Sequence, residues 1–75
     1  MRIIINGREY HREKREVSYE EIVAHVYGES CKAIISITYL WKGPGDTQRQ
    51  GILSPGKTVE AEDGMSFSAY YTGNA

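Results

Sequence analysis

The segment with the clearest chemical potential lies at the end of the printed sequence. Residues 65–71 read MSFSAYY, an alternation that predicts a strand, and TGNA follows at 72–75. Glycine lacks a Cβ, so Gly73 permits a close approach to the backbone. A carboxylate is a poor electrophile, and it joins an amine only after conversion to an adenylate and then to an ester. The segment is therefore either a frayed end, which the tail alone favours, or a carboxylate for partner enzymes to activate.

Other residues with chemical potential fit no recognised kind of site. The SPGK sequence at 54–57 lacks the spaced glycine and the Ser or Thr of a phosphate-binding loop, so it predicts a turn. His11, His25 and Cys31 match no zinc spacing, and His25 is better explained as a residue on a helix face. No nucleophile stands out beside a base. We therefore expect no metal, no cofactor and no enzymatic activity.

Composition narrows the class of protein. A chain of 75 residues is expected to be one domain with little room for an active-site cavity. Nine Lys and Arg against ten Asp and Glu give a net charge of −1, which is not the basic excess of nucleic-acid binders. Cys31 is the only cysteine, and no apolar run has the length of a signal peptide or of a membrane span. These features predict a cytoplasmic protein that contacts neither nucleic acid nor membrane.

A helix is predicted at 17–28, where VSYEEIVAHVYG places apolar residues on one face. Ser18 and Glu21 have the spacing of a capping box, in which each side chain accepts a hydrogen bond from the other residue's backbone N–H. Val17 and Ile22 have the spacing of a hydrophobic staple across the same helix start. The sequence therefore defines where the helix begins and which stripe of it faces a core.

Strands are predicted on both sides of this helix. The runs with β-branched, aromatic or alternating residues lie at 2–6, 8–17, 33–42, 52–53 and 65–71. The alternation at 65–71 predicts that one set of residues faces the core, namely Met65, Phe67, Ala69 and Tyr71. The run at 8–17 is mostly charged, and a charged loop or a docking surface is the alternative there. The order of elements favours one helix packed across one face of a mixed four- to five-stranded sheet. This is the α+β arrangement called β-grasp, with the first and last strands adjacent in the middle.

Three segments of the chain resemble a family of bacterial ubiquitin-like proteins called the multiubiquitin type. The segments are VSYEEIVAHVYG, ITYLWKGPGD and GILSPGKTVEAEDGMSFSAYYTGNA. The matching positions are Thr38, Tyr39, Gly43, Pro44, Gly45, Asp46, Gly51, Leu53, Gly56, Val59, Asp63, Gly64, Met65 and Phe67. The resemblance covers residues 3–73. With it, we expect a β-grasp domain at 1–71 followed by a flexible tail at 72–75.

The resemblance also implies a function. Members of this family accompany ubiquitin-type activating and conjugating enzymes and a metallopeptidase. The chain would then be a ubiquitin-like modifier, conjugated through its C-terminus to a target protein in bacterial anti-phage defence. The activating enzyme would use ATP, and the peptidase would remove Asn74 and Ala75. Without that removal Ala75 itself would be the reactive terminus, which is sterically possible but less favoured. Gly73 is therefore the predicted conjugation terminus, and conjugation becomes the favoured interpretation of the tail.

Further residues near that terminus have implied roles. Tyr70, Tyr71 and Thr72 would position the tail, and Trp41 is a weaker candidate for enzyme contact because aromatic residues are enriched at interfaces. Four lysines are candidate acceptors of another copy, and nothing ranks them: Lys14, Lys32, Lys42 and Lys57. The chain departs from the ubiquitin pattern, since it has no terminal Gly-Gly pair and only four residues follow Tyr71.

Two other functions use the same fold. A non-covalent binding module would act through its sheet face, and its tail would be inert. A small sulfur carrier would accept sulfur on an adenylated tail, but such proteins usually end in Gly-Gly, which this chain lacks. The sequence leaves open the target, the removal of Asn74 and Ala75, the kind of ester intermediate, the oligomeric state and the sheet face that binds partners.

Overall fold

The computed structural model describes residues 1–29 and 33–74, so Cys31, Lys32 and Ala75 lie outside the described residues. The described part of the chain forms one helix and seven strands. In chain order they are β1 (Arg2–Ile5), β2 (Arg8–His11), β3 (Glu16–Ser18), α1 (Tyr19–Tyr27), β4 (Ala33–Lys42), β5 (Gln48–Leu53), β6 (Thr58–Glu60) and β7 (Met65–Asn74). Within these residues, no helix has the length and apolar character needed to cross a membrane.

Five strands form a mixed sheet in the order β2-β1-β7-β4-β5. The first and last strands of the chain are neighbours, as predicted, because β1 runs parallel to β7 with Ile3 opposite Met65 and Ile5 opposite Phe67. The other pairs in this sheet are antiparallel. Helix α1 packs across one face of the sheet. The fold is therefore α+β and of the β-grasp type, which confirms the predicted fold class.

The core lies between α1 and the sheet. Its buried residues are Ile3, Ile5, Val17, Ile22, Ile35, Ile37, Leu53, Val59, Ala61, Met65, Phe67 and Ala69. On β7 the alternation directs Met65, Phe67 and Ala69 into this core, as the sequence predicts. Tyr71 belongs to the same alternating set but is 54% exposed, so its predicted place in the core is wrong. The reason is that α1 ends at Tyr27, whose hydroxyl reaches Ala69, and β7 continues beyond the helix.

The charged segment at 8–17 contains two strands, not the single strand that the sequence predicts. Strand β2 pairs with β1, whereas β3 pairs with β6 in a separate two-stranded sheet, with Val17 opposite Val59. At the break between them, the Arg12 guanidinium donates to the carbonyl oxygen of Glu16 at 2.8 Å. Val17 and Val59 are both buried. The burial of Val17 and Val59 therefore accounts for the break between β2 and β3. The charged residues around Val17 form no apolar pattern, so the sequence does not predict this break.

Strand β5 is six residues long, although the sequence predicts a strand only at 52–53. Residues 48–51 belong to it because they pair with β4, where Arg49 lies opposite Trp41. Strand β5 is an edge of the sheet, so its side chains reach water and need not be apolar. An edge strand rich in Gln and Arg shows no apolar period, which explains why the sequence pattern does not detect it.

The start of α1 has the predicted capping box. The Ser18 Oγ accepts from the Glu21 N–H at 3.0 Å, and the Glu21 Oε1 accepts from the Ser18 N–H at 3.2 Å. Arg12 adds a salt bridge, with its Nη1 at 2.7 Å from the Glu21 Oε2. The predicted staple pair, Val17 and Ile22, is buried in the core. The first turn of the helix is therefore tied to the segment between β2 and β3.

The pKa of the Glu21 carboxyl lies below its ordinary value of 4.5. Partial burial acts to raise this pKa, but the hydrogen bonds from Arg12 and the Ser18 N–H and the positive charges of Arg12 and Lys14 outweigh it. A carboxyl whose pKa is lower in the folded state stabilises the fold above its unfolded-state pKa, and this stabilisation is lost as the pH falls through the folded-state pKa. The free energy of unfolding should therefore decrease as the pH falls below 4.5.

Replacing Glu21 by glutamine keeps an acceptor for the capping box but removes the charge, so the decrease should become shallower. The measurement is urea unfolding at about pH 7 and about pH 3 for the wild type and Glu21→Gln. Glu13→Gln is the matched control, because Glu13 is exposed and takes no part in these bonds. The same pH dependence in the wild type and in Glu21→Gln would contradict the prediction.

Candidate functional site

The last strand of the chain is longer than the sequence predicts. Strand β7 runs to Asn74, and its final residues pair with the start of β4, where Gly73 lies opposite Ile34. The predicted strand end at Tyr71 is therefore wrong, because β4 begins early enough to offer these residues a partner. Gly and Asn are poor strand formers by type, so the sequence does not reveal the extension. The described part of the predicted tail at 72–75 thus belongs to the sheet.

Ala69 is held on the side of β1 by side chains and not by a strand. The Asn6 Nδ2 donates to the Ala69 oxygen at 3.0 Å, and the Asn6 Oδ1 accepts from the Ala69 N–H at 2.8 Å. The Tyr27 hydroxyl donates to the same Ala69 oxygen at 3.3 Å. We call these three residues the Ala69 anchor. Strand β1 pairs only as far as Phe67, and no strand of the described chain pairs with β7 on this side beyond the anchor.

Sequence reasoning missed the part that Asn6 plays in this anchor. In the sequence Asn6 precedes a glycine and indicates only a tight turn. It is the one described residue other than glycine with a positive φ, at 50°. Its side-chain bonds reach Ala69, which is 63 positions away in the chain. No local pattern of residue types contains that information.

A β-bulge interrupts the pairing of β7 with β4 beside Gly73. Between Tyr71 and Gly73 strand β7 advances two residues, while β4 advances one, from Ile35 to Ile34. Thr72 is the additional residue, and its Oγ1 donates to the Ile34 oxygen at 2.9 Å. A bulge bends a strand and disrupts its ladder locally. The backbone next to Gly73 therefore departs from regular sheet geometry.

Two tyrosines border this end of β7 on opposite faces of the sheet. Tyr70 is 48% exposed and lies opposite Ser36 on the face away from α1. Tyr71 is exposed on the other face, since successive strand residues point in opposite directions. Ile34, across from Gly73, is 52% exposed. A partner that enclosed this strand would contact a tyrosine ring on either face.

Gly73 is the one glycine, of eight in the chain, whose type the fold does not require. The others either have a positive φ (Gly7, Gly28, Gly45, Gly56 and Gly64) or lie against an aromatic ring (Gly43 and Gly51). At Gly73 the φ is not positive, and among the described side chains an added Cβ would meet only the Ile34 Cδ1, at an ordinary 3.8 Å. Glycine within a strand weakens it and often marks a place where another molecule approaches the backbone closely.

Trp41 lies apart from this site. It is seven positions from Ile34 on β4, which corresponds to about 23 Å along a strand. Its ring lies against Gly43 and the core, and its Nε1–H donates to the Asp63 oxygen at 3.1 Å. A partner contact with Trp41 would therefore be separate from one with Gly73.

The remaining candidates do not gather at one place. Lys14, Lys42 and Lys57 are exposed, and Lys32 lies outside the described residues. His25 makes an edge contact with the ring of a tyrosine in β2, with the centroids 4.3 Å apart. In the part of the chain that the structure describes, no group of three or more His, Cys, Asp or Glu side chains is arranged to hold a metal ion.

Comparisons of the chain with protein-family models, with curated proteins and with solved structures gave no match. The class of this protein is therefore assigned from its fold and from the geometry of its last strand. It is a β-grasp domain whose last strand carries, beyond the Ala69 anchor, two exposed tyrosines, a bulge and a partly exposed glycine.

Proposed function

We propose that this protein is a ubiquitin-like modifier, which partner enzymes conjugate to a target through the carboxyl group of Gly73. The observation that carries the proposal is the glycine itself. The described residues leave room for a side chain at this position, and a strand would be more stable with one. The absence of a side chain instead lets an enzyme enclose the backbone closely. Cleavage behind Gly73 would leave its carboxylate at the end of a strand that the body of the domain holds.

The partner enzymes supply the chemistry. The Gly73 carboxylate attacks the α-phosphorus of ATP, pyrophosphate leaves, and an acyl adenylate forms. A thiol or hydroxyl of an enzyme then displaces AMP to give an ester, and an amine of the target displaces that enzyme group to give an amide. Tyr70, Tyr71 and Thr72 would orient the strand in such an enzyme. This protein is then a substrate of enzymes and not itself one.

The partners come from the resemblance to the multiubiquitin-type family and not from the geometry. We propose a ubiquitin-type activating enzyme, a conjugating enzyme and a metallopeptidase that cleaves behind Gly73. The setting that the resemblance implies is the bacterial cytoplasm during defence against phage. Exposed lysines of this chain, at Lys14, Lys42 and Lys57, are candidate acceptors for a second copy.

Intact mass spectrometry tests the proposed function. The chain is mixed with a metallopeptidase and with activating and conjugating enzymes of the proposed kinds, with and without ATP. We expect loss of Asn74 and Ala75. Adducts should then form only when ATP, the activating enzyme and the conjugating enzyme are all present. Replacement of one terminal oxygen by sulfur would indicate a sulfur carrier instead. An unchanged mass under every condition would contradict conjugation.

Tryptic digestion of the adducts identifies the terminus. No Lys or Arg follows Lys57 in the chain, so trypsin should leave residues 58–73 attached to the acceptor lysine. A search for the two-residue remnant that ubiquitin leaves would miss these conjugates. A remnant that ends at a residue other than Gly73, or a remnant only two residues long, would refute Gly73 as the conjugation terminus.

A non-covalent binding module is the second candidate function, and the open sheet face favours it. On the face away from α1, Ile52 is 72% exposed and lies with Leu40 beside a shallow depression. The depression is also lined by Thr38, Ser66 and Ser68. Exposed apolar side chains around a depression are typical of surfaces that contact a partner. This candidate predicts that the chain keeps its mass in every reaction described above.

A further inference from the structure

The proposed function and the observed pairing of β7 place opposite demands on the same residues. An enzyme that activates the Gly73 carboxyl needs the backbone to enter its own channel. In the folded chain Gly73 is instead paired with Ile34, and Thr72 is bonded to the same residue through its Oγ1. Access to the carboxyl therefore requires that these pairs open while the rest of the domain stays folded.

The support for β7 changes abruptly at Ala69. Up to Phe67 the strand is paired on both sides, with β1 and with β4. Ala69 is still held on both sides, because Asn6 and Tyr27 bond to its backbone. From Tyr70 onwards β4 is the single neighbouring strand in the described part of the chain. Opening the strand beyond Ala69 therefore breaks one ladder, whereas opening it earlier breaks two.

Burial changes at the same residue. On the face toward α1, Met65, Phe67 and Ala69 are buried in the core, whereas Tyr71 is exposed. Separation of the later residues from β4 thus uncovers little of the apolar surface that stabilises the fold. Strand β4 pairs with β5 only from Ile37 onwards. The part of β4 opposite residues 70–74 would keep its place because it continues into this paired part, and because Tyr19 donates through its hydroxyl to the Ile35 oxygen at 2.8 Å.

The bulge weakens the pairing further. It disrupts the ladder at Thr72, next to the residue whose carboxyl must be reached. Gly73 offers no side chain to pack against β4. Local opening with a free energy well below that of global unfolding is expected for a segment with few buried contacts and one neighbouring strand.

We infer that residues 70–74 separate from β4 as a unit, with Ala69 as the fixed point, and that this opening presents the Gly73 carboxyl to the activating enzyme. The inference rests on the proposed function for its purpose, but the opening itself is a property of the isolated chain. The Ala69 anchor then limits how far the strand can open, so that the core is not exposed when an enzyme binds the end of the chain.

Amide hydrogen exchange of the isolated protein tests the opening. Amides of residues 70–73 that bond to β4 should exchange at least about tenfold faster than those of residues 65–69 that bond to the same strand. Their exchange should also depend little on added denaturant, because local opening exposes little surface. Equal rates in the two groups, with equal denaturant dependence, would overturn the inference.

A pair of engineered disulfides tests Ala69 as the fixed point. Both are made in a Cys31→Ser background and join cross-strand partners of β4 and β7 on the face away from α1. The first disulfide joins residues 36 and 70, the cross-strand pair directly after Ala69, and is made by Ser36→Cys with Tyr70→Cys. The second joins residues 38 and 68, the pair directly before Ala69, and is made by Thr38→Cys with Ser68→Cys. The reduced form of each protein serves as its own reference, and in both proteins Gly73 keeps its native type.

The oxidised 36–70 disulfide should slow exchange of residues 70–73 and the rate of ATP-dependent adduct formation, each by at least about tenfold relative to its reduced form. The oxidised 38–68 disulfide should change neither. Equal effects of the two disulfides, or adducts at the full rate with 36–70 oxidised, would overturn the inference and leave conjugation intact. The expected exchange pattern with no adducts from any protein would instead refute conjugation and leave the opening intact.

Discussion

Replacing Phe67 by alanine should lower the free energy of unfolding by about 3–5 kcal/mol. Phe67 is fully buried and lies on β7, the middle strand of the sheet, between Ile5 on β1 and Tyr39 on β4. Its ring centroid is 6.3 Å from that of Tyr39. Truncation leaves a cavity where three strands and the helix meet. A domain of this length is stable by only about 4–11 kcal/mol, so the variant should keep little of its stability.

Urea unfolding followed by circular dichroism measures this loss. Tyr70→Ala is the matched control, because it removes an aromatic ring from the same strand at an exposed position. The control should stay within about 1 kcal/mol of the wild type. Equal unfolding midpoints for Phe67→Ala and Tyr70→Ala would contradict the assignment of Phe67 to the core.

Replacing Gly73 by alanine should separate stability from conjugation. Among the described residues the added Cβ meets only the Ile34 Cδ1, at 3.8 Å, so we expect the fold to accept it. The free energy of unfolding should stay the same or rise by up to about 1 kcal/mol, because alanine loses less backbone entropy on folding. The rate of ATP-dependent adduct formation should fall about 100-fold, since even a small displacement of the reacting carbon in a narrow channel is costly to the rate.

Gly51→Ala is the matched control for this experiment, because it adds the same methyl group at a glycine that the fold does require. Its Cβ would lie 2.6 Å from the Tyr39 hydroxyl oxygen. This variant should lose about 1–3 kcal/mol of stability and still form adducts at the wild-type rate under conditions where it is folded. Wild-type adduct formation by Gly73→Ala would remove the main support for Gly73 as the terminus. A loss of stability in Gly73→Ala would show that the glycine is structural.

Several elements of the fold follow from patterns that are local in the chain. The capping box needs only Ser18 and Glu21, three positions apart, so the start of α1 is encoded within one helical turn. The burial of Met65 and Phe67 follows from alternation along a single strand. These interactions form whenever their own segment adopts helix or strand, and the sequence therefore reveals them without knowledge of the partners.

The candidate site is encoded only in part. Residue type is enough to select Gly73 and Tyr70, and alternation places Tyr70 on the face away from the core. Alternation also places Tyr71 in the core, which is wrong because coverage by α1 stops near Ala69. The length of the covered strand depends on where the helix ends in space, and no pattern within β7 contains that length.

Tertiary structure alone decides how the end of the chain is held. The Asn6 side chain pairs with Ala69 across 63 positions, and Gly73 is in the sheet because Ile34 lies beside it. It also decides that Gly73 has no structural need to be glycine, which depends on its φ and on its distance from Ile34. Such contacts join residues that are remote in the chain. The polar residues among them are held by hydrogen bonds, and these produce no periodic pattern of apolar residues in the sequence. Their positions are therefore set when the helix and the strands pack together, and not by any one segment.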